Sequence, residues 1–191
     1  MQLREFSQRQ DSKAVWLSDD EIAALLNATE TEEQRFGLGV MARSGLRVAE
    51  AATVASDDLV ETNCGSMVRV WEGKGDEYRE SPVPSDLFYL GRALGRDREH
   101  VVDVSKRTLQ RWVEECADRM FDRQDEVGWS FVTAHDLRRS WATLMIQANV
   151  EQLLIMEYGG WSDIETFQDH YASIHDPGFQ RDEQKKVRWL S

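Results

Sequence analysis

Only two cysteines, Cys64 and Cys116, occur in the 191 residues, with no CxxC pair and no cluster of histidine with cysteine. That argues against a disulfide framework and against a zinc site, and Cys116 reads as a core residue. Long apolar runs are missing too, since every hydrophobic stretch is interrupted within a few residues. Neither a signal peptide nor a membrane span is expected, and the chain reads as a cytoplasmic protein with no membrane partner. Internal repeats and low-complexity segments are also lacking. The largest deficit is in positive charge: 23 Lys and Arg stand against 35 Asp and Glu, a formal net charge of −12. The acids are dispersed in short clusters such as Ser18-Asp-Asp-Glu21 rather than gathered in one tail. Phosphate binding ordinarily wants a basic surface, so this balance points away from nucleic acid unless the protein works in concentrated salt. There the Debye length falls to about 3 Å at 1 M, and the sign of the net charge stops reporting on a local site.

Against these absences stands one well-formed stretch, Thr133 to Ala148. Leu137, Trp141, Leu144, Met145 and Ala148 recur at i, i+4, i+7, i+8 and i+11, the pattern of a helix buried along one stripe. Thr133 suits the N-cap, and Asp136 complements the capping box and the helix dipole. His135 and Arg138 then project roughly 60° apart, off the buried stripe and near the positive helix end. Together they can hold one anion. Taken alone, they read as well as an N-cap histidine and a solvated arginine.

The remainder predicts a mostly helical chain with one small sheet (α+β). Residues 1–15 are polar and aperiodic and read as a linker or arm, leaving 16–191 as one domain. Ser18 to Glu21 forms a capping box opening a helix to about Ala28. A second helix is expected from Thr31 to Arg43, with Phe36, Val40 and Met41 inward. Gly45 should break it before a short helix carrying Arg47 and Glu50 at i and i+3. Three β-prone runs between Leu59 and Pro84 predict a three-stranded antiparallel sheet, with Lys74 at the tip of its second hairpin, where a solvated turn lysine is the ordinary alternative. Helices are expected over Ser85–Leu94 and Ser105–Met120, with a loop from Asp122 to Trp129. A helix over Glu151–Tyr158 should stop at Gly159-Gly160. Another, capped by Ser162 and Glu165, should run to His170, and a last one should follow Asp176-Pro177.

The order of these motifs resembles that of the tyrosine recombinases, the phage integrase family. Ser44-Gly-Leu-Arg-Val-Ala-Glu50 is similar to the family's first arginine box. Gly73-Lys-Gly75 followed by Arg79 and Val83-Pro84 resembles its hairpin lysine motif, and His135-Asp-Leu-Arg138 matches its His-x-x-Arg. Gly159-Gly-Trp161 stands where the family has Leu-Gly-His or, in a minority, a tryptophan. Tyr171 occupies the place of the nucleophile. The likeness runs from about Trp16 to Ile174.

The resemblance implies an integrase catalytic-domain fold and site-specific cleavage and rejoining of double-stranded DNA through a 3′-phosphotyrosyl link on Tyr171. Breaking a phosphodiester this way needs a nucleophile, neutralisation of the non-bridging oxygens, and a proton for the departing 5′ oxygen. Arg47 and Arg138 would supply two guanidinium forks. His135 would add a donor or take the phenol proton, and Lys74 would protonate the leaving oxygen. Trp161 would donate its indole N–H or pack against the site, while Glu50 would orient Arg47 or His135. Arg47, Lys74 and Arg138 would thus also contact DNA. With arginines in place of cations, no divalent metal and no cofactor is expected. In the family four protomers act on two duplexes, which makes a homotetramer on DNA the expected assembly, with the amphipathic segment Phe179–Leu190 docking on a neighbour. Residues 1–15 are too few for the family's N-terminal core-binding domain, and the acidic balance is reconciled by a halophilic source, an archaeon or its virus or plasmid. The other reading of the same fold is a DNA-binding regulator or architectural module without cleavage activity, and Tyr171 taken alone is also compatible with a core tyrosine.

Overall fold

The structure of the chain, a computed structural model, describes residues 1–5, 13–71, 78–168, 181, 184–187 and 189. It opens with an antiparallel pair, β1 (Gln2–Glu5) and β2 (Lys13–Trp16), in the register Gln2↔Trp16. This departs from the linker expected through residue 15, because Ala14, Val15 and Trp16 are all buried. The reason is long-range: the Val15 amide donates to Asp136 Oδ1 at 3.1 Å and the Leu17 amide to Ser140 Oγ at 2.8 Å. No local pattern announces such partners.

Caps then set the helix starts. The Glu21 amide donates to Ser18 Oγ at 3.3 Å and the Ser18 amide to the Glu21 carboxylate at 2.7 Å, a reciprocal box that opens α1 (Asp19–Asn27). Thr31 caps α2 (Glu32–Arg43) through the Gln34 amide at 3.2 Å. The expected inward face of α2, Phe36, Val40 and Met41, is buried, and so are Gly37, Leu38, Gly39 and Ala42. The helix is enclosed because α1, α4, α5 and α6, whose bounds follow, all pack on it. It ends at Arg43 with Ser44 as its C-cap, and the chain then turns at Gly45, whose φ of +67 suits glycine and where a Cβ would stand 2.3 Å from the Trp141 ring. A short α3 (Val48–Ala51) follows.

The sheet comprises β3 (Leu59–Thr62), β4 (Gly65–Val70) and β5 (Arg79–Pro82), antiparallel in the order β3-β4-β5 as expected. Next come α4 (Ser85–Leu94) and α5 (Lys106–Gln124), the latter capped by Ser105 and buried along Leu109, Val113, Cys116, Ala117 and Met120. Instead of yielding to a loop at Asp122, α5 continues to Gln124 and closes on Asp125 in the left-handed region (φ 53) before a 3-10 turn over Val127–Phe131. Then follow α6 (Ala134–Gln147), α7 (Gln152–Gly159) and α8 (Ile164–Phe167). Asp163 rather than Ser162 caps the last of these, accepting from the Glu165 amide at 3.2 Å.

One large apolar cluster joins α1, α2, α4, α5 and the three-stranded sheet; a smaller one gathers Trp141, Ala142, Ile155, Met156 and Phe167. Burying each Leu, Ile or Phe contributes about 1.5–3 kcal/mol. Surface ion pairs such as Arg92 with Asp57 are screened by solvent and contribute little. The apolar clusters therefore hold the fold, and ion pairs that are buried call for a separate explanation. Among the described residues no helix is long and apolar enough to cross a membrane.

Candidate active site

Arg47 stands at the N-cap position of α3 and Glu50 three residues inside it. The Arg47 amide donates to Glu50 Oε2 at 2.6 Å and Arg47 Nη1 to Oε1 at 2.7 Å. Glu50 is buried, and Arg79 of β5 closes on the same carboxylate with Nη1 at 3.0 Å and Nη2 at 2.6 Å. Burial alone would raise the Glu50 pKa, but the hydrogen bonds and charge of Arg79 and the bonds from Arg47 outweigh it. The carboxyl is held below the ordinary glutamate value. A depressed folded pKa means that this stabilisation is fully present above the unfolded pKa, near 4.3 for glutamate, and is lost as pH falls through the folded value. Asp136 has the opposite sign, since burial raises its pKa, and so cannot produce such a loss. Thermal melts from pH 7 downward should therefore show a smaller acid-induced drop in Tm for Glu50→Gln than for wild type below about pH 4.3. Parallel curves would mean that the pair with Arg79 adds nothing.

On α6, the Thr133 amide and Oγ1 donate to Asp136 Oδ2 at 2.9 and 2.6 Å, and Arg139 and the Val15 amide take Oδ1. This fixes the first turn and with it His135 and Arg138. His135 is exposed, but Arg138 is 2% exposed, which corrects the expectation of a side chain off the buried stripe. The partners that bury Arg138 come from distant turns: Nη1 donates to the Gly45 carbonyl and Nη2 to the Gly159 carbonyl at 2.6 Å, while the guanidinium lies 4.0 Å over the Trp161 ring. A helical wheel shows none of these. Trp161 in turn stacks on Trp141 at 6.0 Å and meets Phe167 edge-on at 5.0 Å. It forms a packing wall behind Arg138.

Arg47 Nη2 completes its bonding on the Gly160 carbonyl at 3.0 Å. Gly160 sits at φ +66, the left-handed cap that ends α7 and turns these last carbonyls toward the arginines. The result is a cleft of about 350 Å³ lined by Arg47, His135 and Arg138, with Gln110 and Glu114 of α5 on its wall. Locally, the guanidinium groups of Arg47 and Arg79 share the buried Glu50 carboxylate and Arg138 is held on backbone carbonyls, so three arginines stand here against one buried carboxylate although the chain is acidic. An arrangement of two clamped forks and an imidazole suits an anion with several oxygens, such as a phosphodiester.

Lys74 and Tyr171 lie outside the described residues, as does most of the segment expected as a last helix. Arg79 enters the sequence reading only as part of the hairpin motif, although strand parity marks it: Arg79, Ser81 and Val83 alternate inward. Gln110 and Glu114 were also missed. Their i, i+4 spacing on an amphipathic helix puts them on one face, but nothing local says what that face looks onto. Among the described residues no group of three or more His, Cys, Asp or Glu is placed to hold a metal ion.

The sequence profile described as the phage integrase family matches residues 15–176. A tyrosine recombinase of Thermosipho africanus is 25% identical over 162 residues, which is 79% of this chain and 54% of the relative. The chain thus spans about half the length of that relative. Among solved structures, that of the XerA recombinase superposes with a TM-score of 0.74 at 21% identity, covering 95% of this chain and 67% of the other. The XerH site-specific recombinase bound to its difH substrate before cleavage gives 0.69 at 20% identity, covering 97% and 57%. The mainly helical fold with its small three-stranded sheet is that of an integrase catalytic domain.

Proposed function

The chain belongs to the phage integrase family, and from that premise we propose that it is a site-specific recombinase cutting and rejoining DNA through Tyr171. The observation that carries the reading is the meeting of Arg47, at the start of α3, with His135 and Arg138 of α6 on one cleft with the guanidinium forks clamped in place. Residues 16–191 then act as the catalytic domain. The phenolate oxygen of Tyr171 attacks phosphorus, a tyrosyl O–P bond forms, and the P–O5′ bond breaks. The 5′ oxygen leaves with a proton from Lys74. Arg47 and Arg138 neutralise the non-bridging oxygens as phosphorus becomes five-coordinate, and His135 donates to an oxygen or takes the phenol proton. Nearby guanidinium charge favours the phenolate, which a reference pKa near 10 otherwise leaves scarce at neutral pH. Trp161 keeps Arg138 in plane by stacking. No step in this chemistry calls on a metal ion. Four protomers on two duplexes are the assembly that fits exchange of strands, and a salt-rich setting fits an acidic surface around a cationic cleft.

A duplex nicked just beyond the cleavage point tests this. The freed end diffuses away, so the wild type should accumulate a protein–DNA complex that survives denaturing electrophoresis. Tight binding with no such complex would identify a non-cleaving DNA-binding module instead. Relaxation of any supercoiled plasmid, without site preference, would identify a topoisomerase.

A further inference from the structure

Arg79 occupies the inward parity of β5 with only 5% of its side chain exposed, where a strand ordinarily carries an apolar residue. A buried guanidinium persists only when its charge and donors are answered. Here Nη1 and Nη2 grip both oxygens of Glu50, and Nε donates to the Tyr158 carbonyl at 2.9 Å. The same Glu50 oxygens hold the amide and Nη1 of Arg47. At the end of α7, the consecutive carbonyls of Tyr158, Gly159 and Gly160 therefore accept from Arg79, Arg138 and Arg47, each from a different element.

We propose that Arg79 is a positioning residue for Arg47: its fork fixes Glu50, Glu50 fixes the Arg47 guanidinium, and its Nε ties the assembly to the turn that also holds Arg138. The proposal rests on the recombinase reading for its kinetic test but not for its binding test. Two features favour positioning over stabilisation alone. A buried ion pair is weak evidence for stability, since apolar residues of similar volume often serve as well. And three acceptors, the two Glu50 oxygens and the Tyr158 carbonyl, are answered by the three nitrogens of one guanidinium, while lysine offers a single charged point.

A double-mutant cycle between Arg79→Lys and Arg47→Ala decides the matter. With Arg47 intact, Arg79→Lys should lower the rate of covalent complex formation at saturating DNA by about tenfold, and in the Arg47→Ala background by less than about twofold. Equal losses in both backgrounds would overturn the proposal. Should Arg79→Lys fail to fold by circular dichroism, the pair Arg79→Met with Glu50→Gln avoids a lone buried carboxylate, and its loss beyond that of Glu50→Gln alone is judged by the same comparison. If the wild type forms no covalent complex, the recombinase reading falls, yet the binding arm still tests Arg79. The slope of log K against log salt for a duplex should drop by about one on Arg47→Ala, and Arg79→Lys should lower affinity only while Arg47 is present. Loss of affinity independent of Arg47 would show that Arg79 acts on the fold alone.

Discussion

Tyr171→Phe should form no covalent complex with a nicked duplex, a fall of at least about 10⁴-fold in rate, while binding that duplex within about twofold of the wild type. The substitution removes one oxygen and keeps the ring. Affinity comes mainly from cations on phosphates, in the proposed reading Arg47, Lys74 and Arg138, so it has no reason to fall with the phenol. Four tyrosines occur in the chain, and the other three are poor substitutes. Tyr78 has its pKa raised chiefly by its hydrogen bond to Glu80, and Tyr158 chiefly by burial, so both resist forming the phenolate that must attack. Tyr89 is exposed on α4, and none of the three lines the cleft of Arg47 and Arg138. A covalent complex from Tyr171→Phe, mapped by digestion to another residue, would remove Tyr171 from the mechanism and leave the arginine cleft unexplained.

Where local rules decide structure, the sequence could be read. Ser18, Thr31 and Ser105 all cap helices because a side-chain oxygen beside an apolar period has only one good use. The sheet was visible because glycine and asparagine separate β-prone runs. Gly160 stopped α7 because the left-handed cap conformation favours glycine. What escaped was settled by partners far along the chain. β2 is held by Asp136 and Ser140 of α6, so its short run looked like linker. Arg138 reads locally as lying off the buried stripe because its acceptors, the carbonyls of Gly45 and Gly159, belong to turns brought in by tertiary packing. Arg79 had a legible parity but no legible partner, since nothing in β5 announces Glu50.

A net charge of −12 argues against DNA only if it is spread evenly. In the fold, Glu50 is spent on Arg79 and Arg47, and Asp136 on Arg139 and the start of α6. The acids nearest the arginines therefore align them rather than repel a phosphate. Glu114 is the exception, an exposed carboxylate on the cleft wall, and its repulsion weakens as salt shortens the screening length.

Arg138→Ala should cost about 10³-fold in the rate of covalent complex formation at saturating DNA, in the range found when one preorganised donor to a developing charge is removed. Stability should fall as well, because the Gly45 and Gly159 carbonyls lose a buried donor, at about 1–3 kcal/mol for each group left unsatisfied. A rate loss could then be blamed on misfolding, so Arg138→Lys is the sharper variant. Lysine keeps the positive charge above Trp161 but has one nitrogen where arginine bonds two carbonyls through a planar fork. If the fork matters, Arg138→Lys should remain folded by thermal melting, bind duplex with a nearly unchanged salt dependence, and yet react about 10²-fold more slowly. Near wild-type rates from Arg138→Lys would mean that a point charge suffices. The clamping of both arginines by the end of α7 would then be a feature of packing, and the catalytic weight would have to rest on His135 and Lys74.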